Sequence, residues 1–323
     1  MKRKLIIAGA LLLLLTIIGL MGWDLFFSTP NDQENPYAYD LKTLKSGDTS
    51  LVLYEESQQF TPGLTGIHGI ATDRSDRIYI AGDNAVAVFD PSGNRTAGFA
   101  LEEPARCIHV GPEGRIYLGM SDHVEIYEIT GKLVNKWKSP GEKTLITSIV
   151  VAGDDVFVAD AGNKIVRHYV SDGRLLKQIG QKDPERRIPG FVIPSLNFDL
   201  GIGRRGELWV VNPGRHTFEQ YTPDGELITS WGKATMAMEG FCGCCNPSHF
   251  AILSDGSFVT SEKGIERIKV YHANGDFSCV VATPDMFREG TTGLDLAVDS
   301  RDRILVLDPE KNQIRIFTVK KKN

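Results

Sequence analysis

From about residue 60 onward the chain alternates short apolar runs with Gly-, Asp- and Asn-rich turns, and the alternation repeats. Each unit reads as an apolar strand, a Gly/Asp turn, a second apolar strand, an Asp or Asn turn, a third strand and a Gly turn. Units begin near Ile67, Ala105, Ile146, Asn197, Pro247 and Gly293. Their second strands are R-I-Y-I (77 to 80), R-I-Y-L (115 to 118), D-V-F-V (155 to 158), E-L-W-V (207 to 210), S-F-V-T (257 to 260) and R-I-L-V (303 to 306), spaced 38 to 52 residues apart. That period belongs to a four-stranded propeller blade and not to a helical repeat. Gly93, Gly173, Gly225 and Gly275 sit where tight turns between third and fourth strands demand positive φ.

The sixth unit stops at Val319 after three strands. Leu51–Tyr54, an apolar run before the first unit, is predicted to supply the missing outer strand, so that the two chain ends close the ring and remove an exposed edge. The predicted fold is all-β, a six-bladed β-propeller over residues 49–323.

The units resemble those of NHL-repeat propellers. Phe157-Val158-Ala159-Asp160 with Asn163, Ile304-Leu305-Val306-Leu307-Asp308 with Asn312, and Trp231-Gly232 followed by Phe241 and Pro247 carry the resemblance, which spans about residues 60–320. The first two units depart from it, with Gly82 and Met120 in place of the Asp. The resemblance implies the fold; the family includes binding and sensor domains and a few lyases, so it implies no single function.

Leu5 to Trp23 is a nineteen-residue uncharged stretch behind Lys2-Arg3-Lys4. Its length suits a membrane-spanning helix, and the basic flank places the residues after Asp24 outside the cytoplasm. The run exceeds the apolar core of a signal peptide and lacks a small-residue cleavage site, which favours an uncleaved anchor. The expected organisation is an anchor over 1–27, a polar linker over 28–48 and the propeller outside a single-pass cell membrane. A formal net charge of -5 argues against a nucleic-acid partner.

Counting back nine residues from the first apolar residue of each second strand, with one residue of slippage in the third unit, aligns Gly69, Cys107, Ser148, Asp199, His249 and Asp295. These open the inner strands on one face, the top. Cys107, Asp199, His249 and Asp295 are therefore expected on one ring at the channel mouth, with His68 and Arg106 beside it. Such residues line a wet channel, or hold a metal or small polar ligand.

Phe241 to Phe250, F-C-G-C-C-N-P-S-H-F, concentrates three of the five cysteines. Cys242, Cys244 and Cys245 with His249 make a four-ligand set for zinc or copper(I). A local disulfide or a redox-active thiol competes with that reading outside the cytoplasm. Lys263 and Arg267 are expected on the top-face loop of the same unit, where they would lower thiol pKa or grip an anion. The insertion from Gln181 to Pro194 is expected to cover the channel or meet a partner. There is no G-x-S-x-G elbow, H-E-x-x-H or P-loop. The functional expectation is a top-face binding module for a protein or small polar ligand. The alternatives are a metal-dependent or thiol-redox enzyme, or a metal-handling or electron-transfer accessory protein.

Overall fold

The computed structural model describes residues 49–321 except Cys244, together with Leu14, Thr16 and Gly19. The anchor and linker expectations otherwise lie outside the described residues.

Strand β1 (Tyr54–Phe60) precedes six units. The first holds β2 (Ile67–Thr72), β3 (Ile78–Gly82), β4 (Ala85–Phe89) and β5 (Arg95–Ala100). The second holds β6 (Cys107–Val110), β7 (Ile116–Gly119), β8 (Val124–Tyr127) and β9 (Leu133–Lys136). The third holds β10 (Ile146–Ala152), β11 (Asp155–Asp160), β12 (Ile165–Val170) and β13 (Leu175–Ile179). The fourth holds β14 (Leu200–Ile202), β15 (Leu208–Asn212), β16 (Thr217–Tyr221) and β17 (Leu227–Trp231). The fifth holds β18 (His249–Ile252), β19 (Phe258–Glu262), β20 (Arg267–Tyr271) and β21 (Phe277–Ala282). The sixth has three strands of its own, β22 (Asp295–Val298), β23 (Ile304–Asp308) and β24 (Gln313–Val319), and takes β1 as its fourth. The result is six antiparallel sheets, a six-bladed propeller.

Apolar side chains on both faces of the inner three strands explain why the blades stack. Six buried clusters form, one between each consecutive pair of blades, including the pair that joins the sixth to the first. The core is thus distributed around the ring, as expected when a sheet cannot bury its faces alone.

Closure reaches further along the chain than expected: the outer strand begins at Tyr54, the last residue of the expected run, with Leu53 O accepting from Lys320 N–H at 2.9 Å just ahead of it. Tyr54–Phe60 pairs with β24, and Glu56 grips Arg315 with both carboxylate oxygens, at 3.0 Å to Nε and 2.5 Å to Nη2. Val52 instead bridges in parallel to Val280 of β21, and Leu53 N–H donates to Val280 O at 3.2 Å. The reason is burial. An outermost strand is covered on one face only, and Y-E-E-S-Q-Q-F alternates accordingly, whereas the apolar Val52 finds cover against the neighbouring blade.

Turn glycines also serve the packing between blades. Gly173 and Gly275, at φ +92° and +88°, carry the side chains of Trp137 and Trp231 from the preceding blade directly against their α-carbons. A Cβ there would stand 2.6 Å and 2.7 Å from the indoles. No such turn exists in the sixth blade, because its third and fourth strands come from opposite chain ends.

Candidate functional site

The inner strands β2, β6, β10, β14, β18 and β22 surround a central cavity of about 220 Å³. Asp199 immediately precedes β14, His249 opens β18 and Asp295 opens β22, so three consecutive blades present them at the same height. His249 Nδ1 lies 3.5 Å from Asp295 Oδ1 and 3.8 Å from Asp199 Oδ2. One ligating atom from each residue falls within 4.8 Å of the other two.

Backbone hydrogen bonds explain why the carboxylates are held there. Asp199 accepts from Leu200 N–H and, across the blade boundary, from Phe250 N–H, both at 2.9 Å. Asp295 accepts from Leu296 N–H at 2.8 Å and, across its boundary, from Ile70 N–H at 2.9 Å. Ser148 repeats the device, its hydroxyl accepting from Leu200 N–H at 3.2 Å. This ring position is therefore a stitch between neighbouring inner strands. In the fourth and sixth blades the stitch is an acid, so negative charge is fixed at the mouth.

Their side chains keep only 10 to 17% of their surface exposed, which weakens solvation of the charge. Burial pushes the Asp295 carboxyl up to about 6, and the nearby Asp199 adds to the rise; His249 and the two backbone donors oppose it. The group is therefore an acceptor array in a partly dry pocket.

The other ring residues differ in disposition. Cys107 shares the ring, but its sulfur lies under Gly119 beside Ile146 and Ile149, and burial pushes the thiol well above its ordinary range. His68 stands exposed on the rim, 2.6 Å from Asp83. Arg106 lines the cavity at its mouth, and among the described residues its guanidinium forms no ion pair. His109, two residues along β6 from Cys107 and on the same side of the strand, also lines the cavity; burial pushes its imidazole down to about 4. Counting to the first ring alone misses His109, although a period of two along an inner strand points to it.

The cysteine loop follows β17. Asn246 organises it: its amide donates to Cys242 O at 2.7 Å and Lys263 O at 2.9 Å, and its carbonyl accepts from Lys263 N–H at 2.9 Å. Cys242 and Cys245 are buried, and Cys244 lies outside the described residues. Burial, aided by Glu262, raises the Cys242 thiol, while Arg267 and Lys269 oppose the rise. Among the described residues, His249 is brought together with Asp199 and Asp295, and no cysteine falls within that group. Cys279 is buried between the fifth and sixth blades.

The segment read as a charged top-face loop is largely strand. Glu262 ends β19 and Arg267 opens β20 directly opposite it, both buried. Arg267 Nε donates to Glu262 Oε2 at 2.5 Å, and Lys269 Nζ lies 3.2 Å from Glu262 Oε1. Lys269 also donates to Gly240 O at 2.7 Å and Met238 O at 3.1 Å, between the rings of Phe241 and Tyr271. This sealed cluster pins the base of the cysteine loop; Lys263 stays half-buried at the turn above it.

The insertion likewise turns inward. Ile188, Phe191 and Ile193 join the core between the third and fourth blades, and Asn212 Oδ1 accepts from Val192 N–H at 2.8 Å.

No family model matches this chain, and no curated protein matches it. Among solved structures it is similar to a streptogramin B lyase, with 12% identity, a TM-score of 0.59, and coverage of 83% of this chain and 98% of that one. It is also similar to virginiamycin B lyase from Staphylococcus aureus (13%, 0.58, 83% and 100%) and to the WD40 β-propeller domain of Doa1 (12%, 0.56, 79% and 79%). At these identities the likeness shows the propeller fold alone.

Proposed function

We propose that this protein is a binding module that captures a positively charged group at the top of its propeller channel, with Asp199, His249 and Asp295 as the acceptors. The observation that carries this reading is the convergence of two carboxylates and one imidazole nitrogen within 4.8 Å, at the wall of a cavity. Anionic oxygens held by backbone N–H groups lose solvation and have no permanent counter-charge beside them, since the neighbouring His249 carries charge only when protonated; a bound cation supplies it. A divalent metal and a ligand ammonium both satisfy that demand.

The uncharged run from Leu5 to Trp23 supports a membrane-anchored protein with its propeller outside the cytoplasm. A reporter fused after Asp48 should be active only outside; activity confined to the cytoplasm overturns that topology.

The test of the site is calorimetric titration of the full-length protein with MnCl2, ZnCl2 and methylamine hydrochloride. At least one should bind, and His249→Ala and Asp295→Asn should each abolish the binding while Cys242→Ser and Cys245→Ser leave it intact. The second reading places zinc or copper on Cys242, Cys244, Cys245 and His249, and what supports it is that Cys242 and Cys245 share one short loop, held at Cys242 O by Asn246. Loss of zinc binding in the cysteine variants, with binding retained in Asp295→Asn, would select that reading instead.

A further inference from the structure

We propose that the occupant of the channel mouth is a small zwitterion of the amino-acid class, its primary ammonium on Asp199, His249 and Asp295 and its carboxylate on Arg106. This rests on the reading of the mouth as a cation-binding site and adds the second charge.

The order of blades around the ring separates the two charges. Arg106 belongs to the second blade, which in a ring of six stands across the channel from the fifth, the blade of His249. Asp199 and Asp295 flank His249 on the fourth and sixth blades. One wall therefore carries both acids and the other a cation. Arg106 and the three acceptors line the same cavity. Were the mouth built for a metal ion alone, its positive wall would be unhelpful, since it repels the ion. A ligand with charges of both signs uses both walls.

The donor and acceptor counts agree. A primary ammonium has three N–H donors and no acceptor, and the opposing array offers three acceptors, with His249 Nδ1 in its unprotonated form. A guanidinium presents a planar fork that matches a carboxylate bidentately, and that of Arg106 has no ion-pair partner among the described residues. The cavity, about 220 Å³, has room for a small molecule. His109, deeper in the cavity, is held neutral by burial at ordinary pH and so does not repel the ammonium.

The test titrates the full-length protein with glycine, L-alanine, L-leucine and glycylglycine, against methylamine and sodium acetate as half-ligands and MnCl2 as the bare cation. At least one amino acid or glycylglycine should bind at least about tenfold more tightly than either half-ligand, since a charge-assisted hydrogen bond is lost with each half. Arg106→Ala should erase that advantage and should strengthen methylamine binding if it changes it at all, since Arg106 repels a bare cation; Asp295→Asn should weaken both. Arg106→Lys should recover part of the loss. If methylamine or Mn2+ binds and no zwitterion binds more tightly, the proposal falls and the cation-binding reading survives. If none of the probes binds, both fall. Arg106 is exposed on the rim, so its replacement does not threaten folding.

Discussion

Two clusters of charge sit at the top of this propeller, and their contrast separates structure from function. Beneath the cysteine loop, Glu262, Arg267 and Lys269 are sealed from solvent, and each headgroup meets a partner of the opposite kind. At the channel mouth, Asp199, His249 and Asp295 border a cavity, and among the described residues the carboxylates have only backbone N–H donors besides His249. A charged group inside a protein must be compensated. In the first cluster the protein compensates itself; in the second, part of the compensation is left to whatever enters.

The largest effect should come from breaking the sealed cluster. Glu262→Ala leaves two buried cations facing each other and should cost about 3–5 kcal/mol of stability, read by denaturant unfolding. A loss below about 1 kcal/mol would mean that water reaches the cluster and that the contrast is not one of burial. Lys269→Met should cost less, about 1–3 kcal/mol, because Glu262 keeps Arg267 while the Gly240 and Met238 carbonyls lose their donor. If Lys269→Met proves the more damaging change, the anchoring of the loop, and not the ion pair, dominates this region.

The mouth should respond in the opposite way. His249→Ala should change stability by less than about 1 kcal/mol, since among the described residues its side chain makes no hydrogen bond that closes the fold, yet it should abolish binding of the cationic probes. Equal losses of stability from His249→Ala and Glu262→Ala would erase the distinction between the two clusters.

The unequal legibility of these regions in the sequence has the same origin. The ring register was legible because each blade repeats one strand length, so counting from Ile78, Ile116, Leu208, Phe258 and Ile304 places Asp199, His249 and Asp295 together. Blade number and closure by the two ends were legible from the missing fourth strand. The extent of the closing strand beyond Tyr54 was not, because apolar Leu51–Tyr54 looks more like a strand than E-E-S-Q-Q-F until one asks how little of an outer strand is covered. The burial of Glu262 and Arg267 was also hidden, since charge between two strands reads by default as solvated loop. A signal did exist: an acid followed seven residues later by a base recurs as Asp160 and Arg167, Glu262 and Lys269, and Asp308 and Arg315. In each blade the acid ends the second strand and the base lies on the third. Three recurrences of one spacing across a known hairpin identify a built-in cross-strand pair.

The smallest effect is a pH dependence that sharpens the comparison, because the two clusters titrate with opposite signs. Burial pushes Lys269 down to about 8, with Glu262 opposing. A depressed lysine binds its proton less tightly folded than unfolded, so its contribution to stability is complete above its ordinary value near 10.4 and is lost as pH falls through about 8. Asp295 is raised to about 6, so its contribution is complete below its ordinary value near 3.9 and is lost as pH rises through about 6. Between pH 4 and 6 the unliganded wild type should therefore lose more stability with rising pH than Asp295→Asn does. Ligand binding must run the other way. The groups facing Asp295 are His249, Asp199 and the Ile70 and Leu296 N–H donors, and protonating the carboxyl removes an acceptor from the cation. Affinity for methylamine should thus fall on acidification below about 6, by up to about tenfold per pH unit, while apo stability gains from the same protonation. Melting curves and titrations at matched pH values check both slopes. If affinity and the Asp295-dependent part of stability rise together on acidification, Asp295 is not an acceptor for the bound cation.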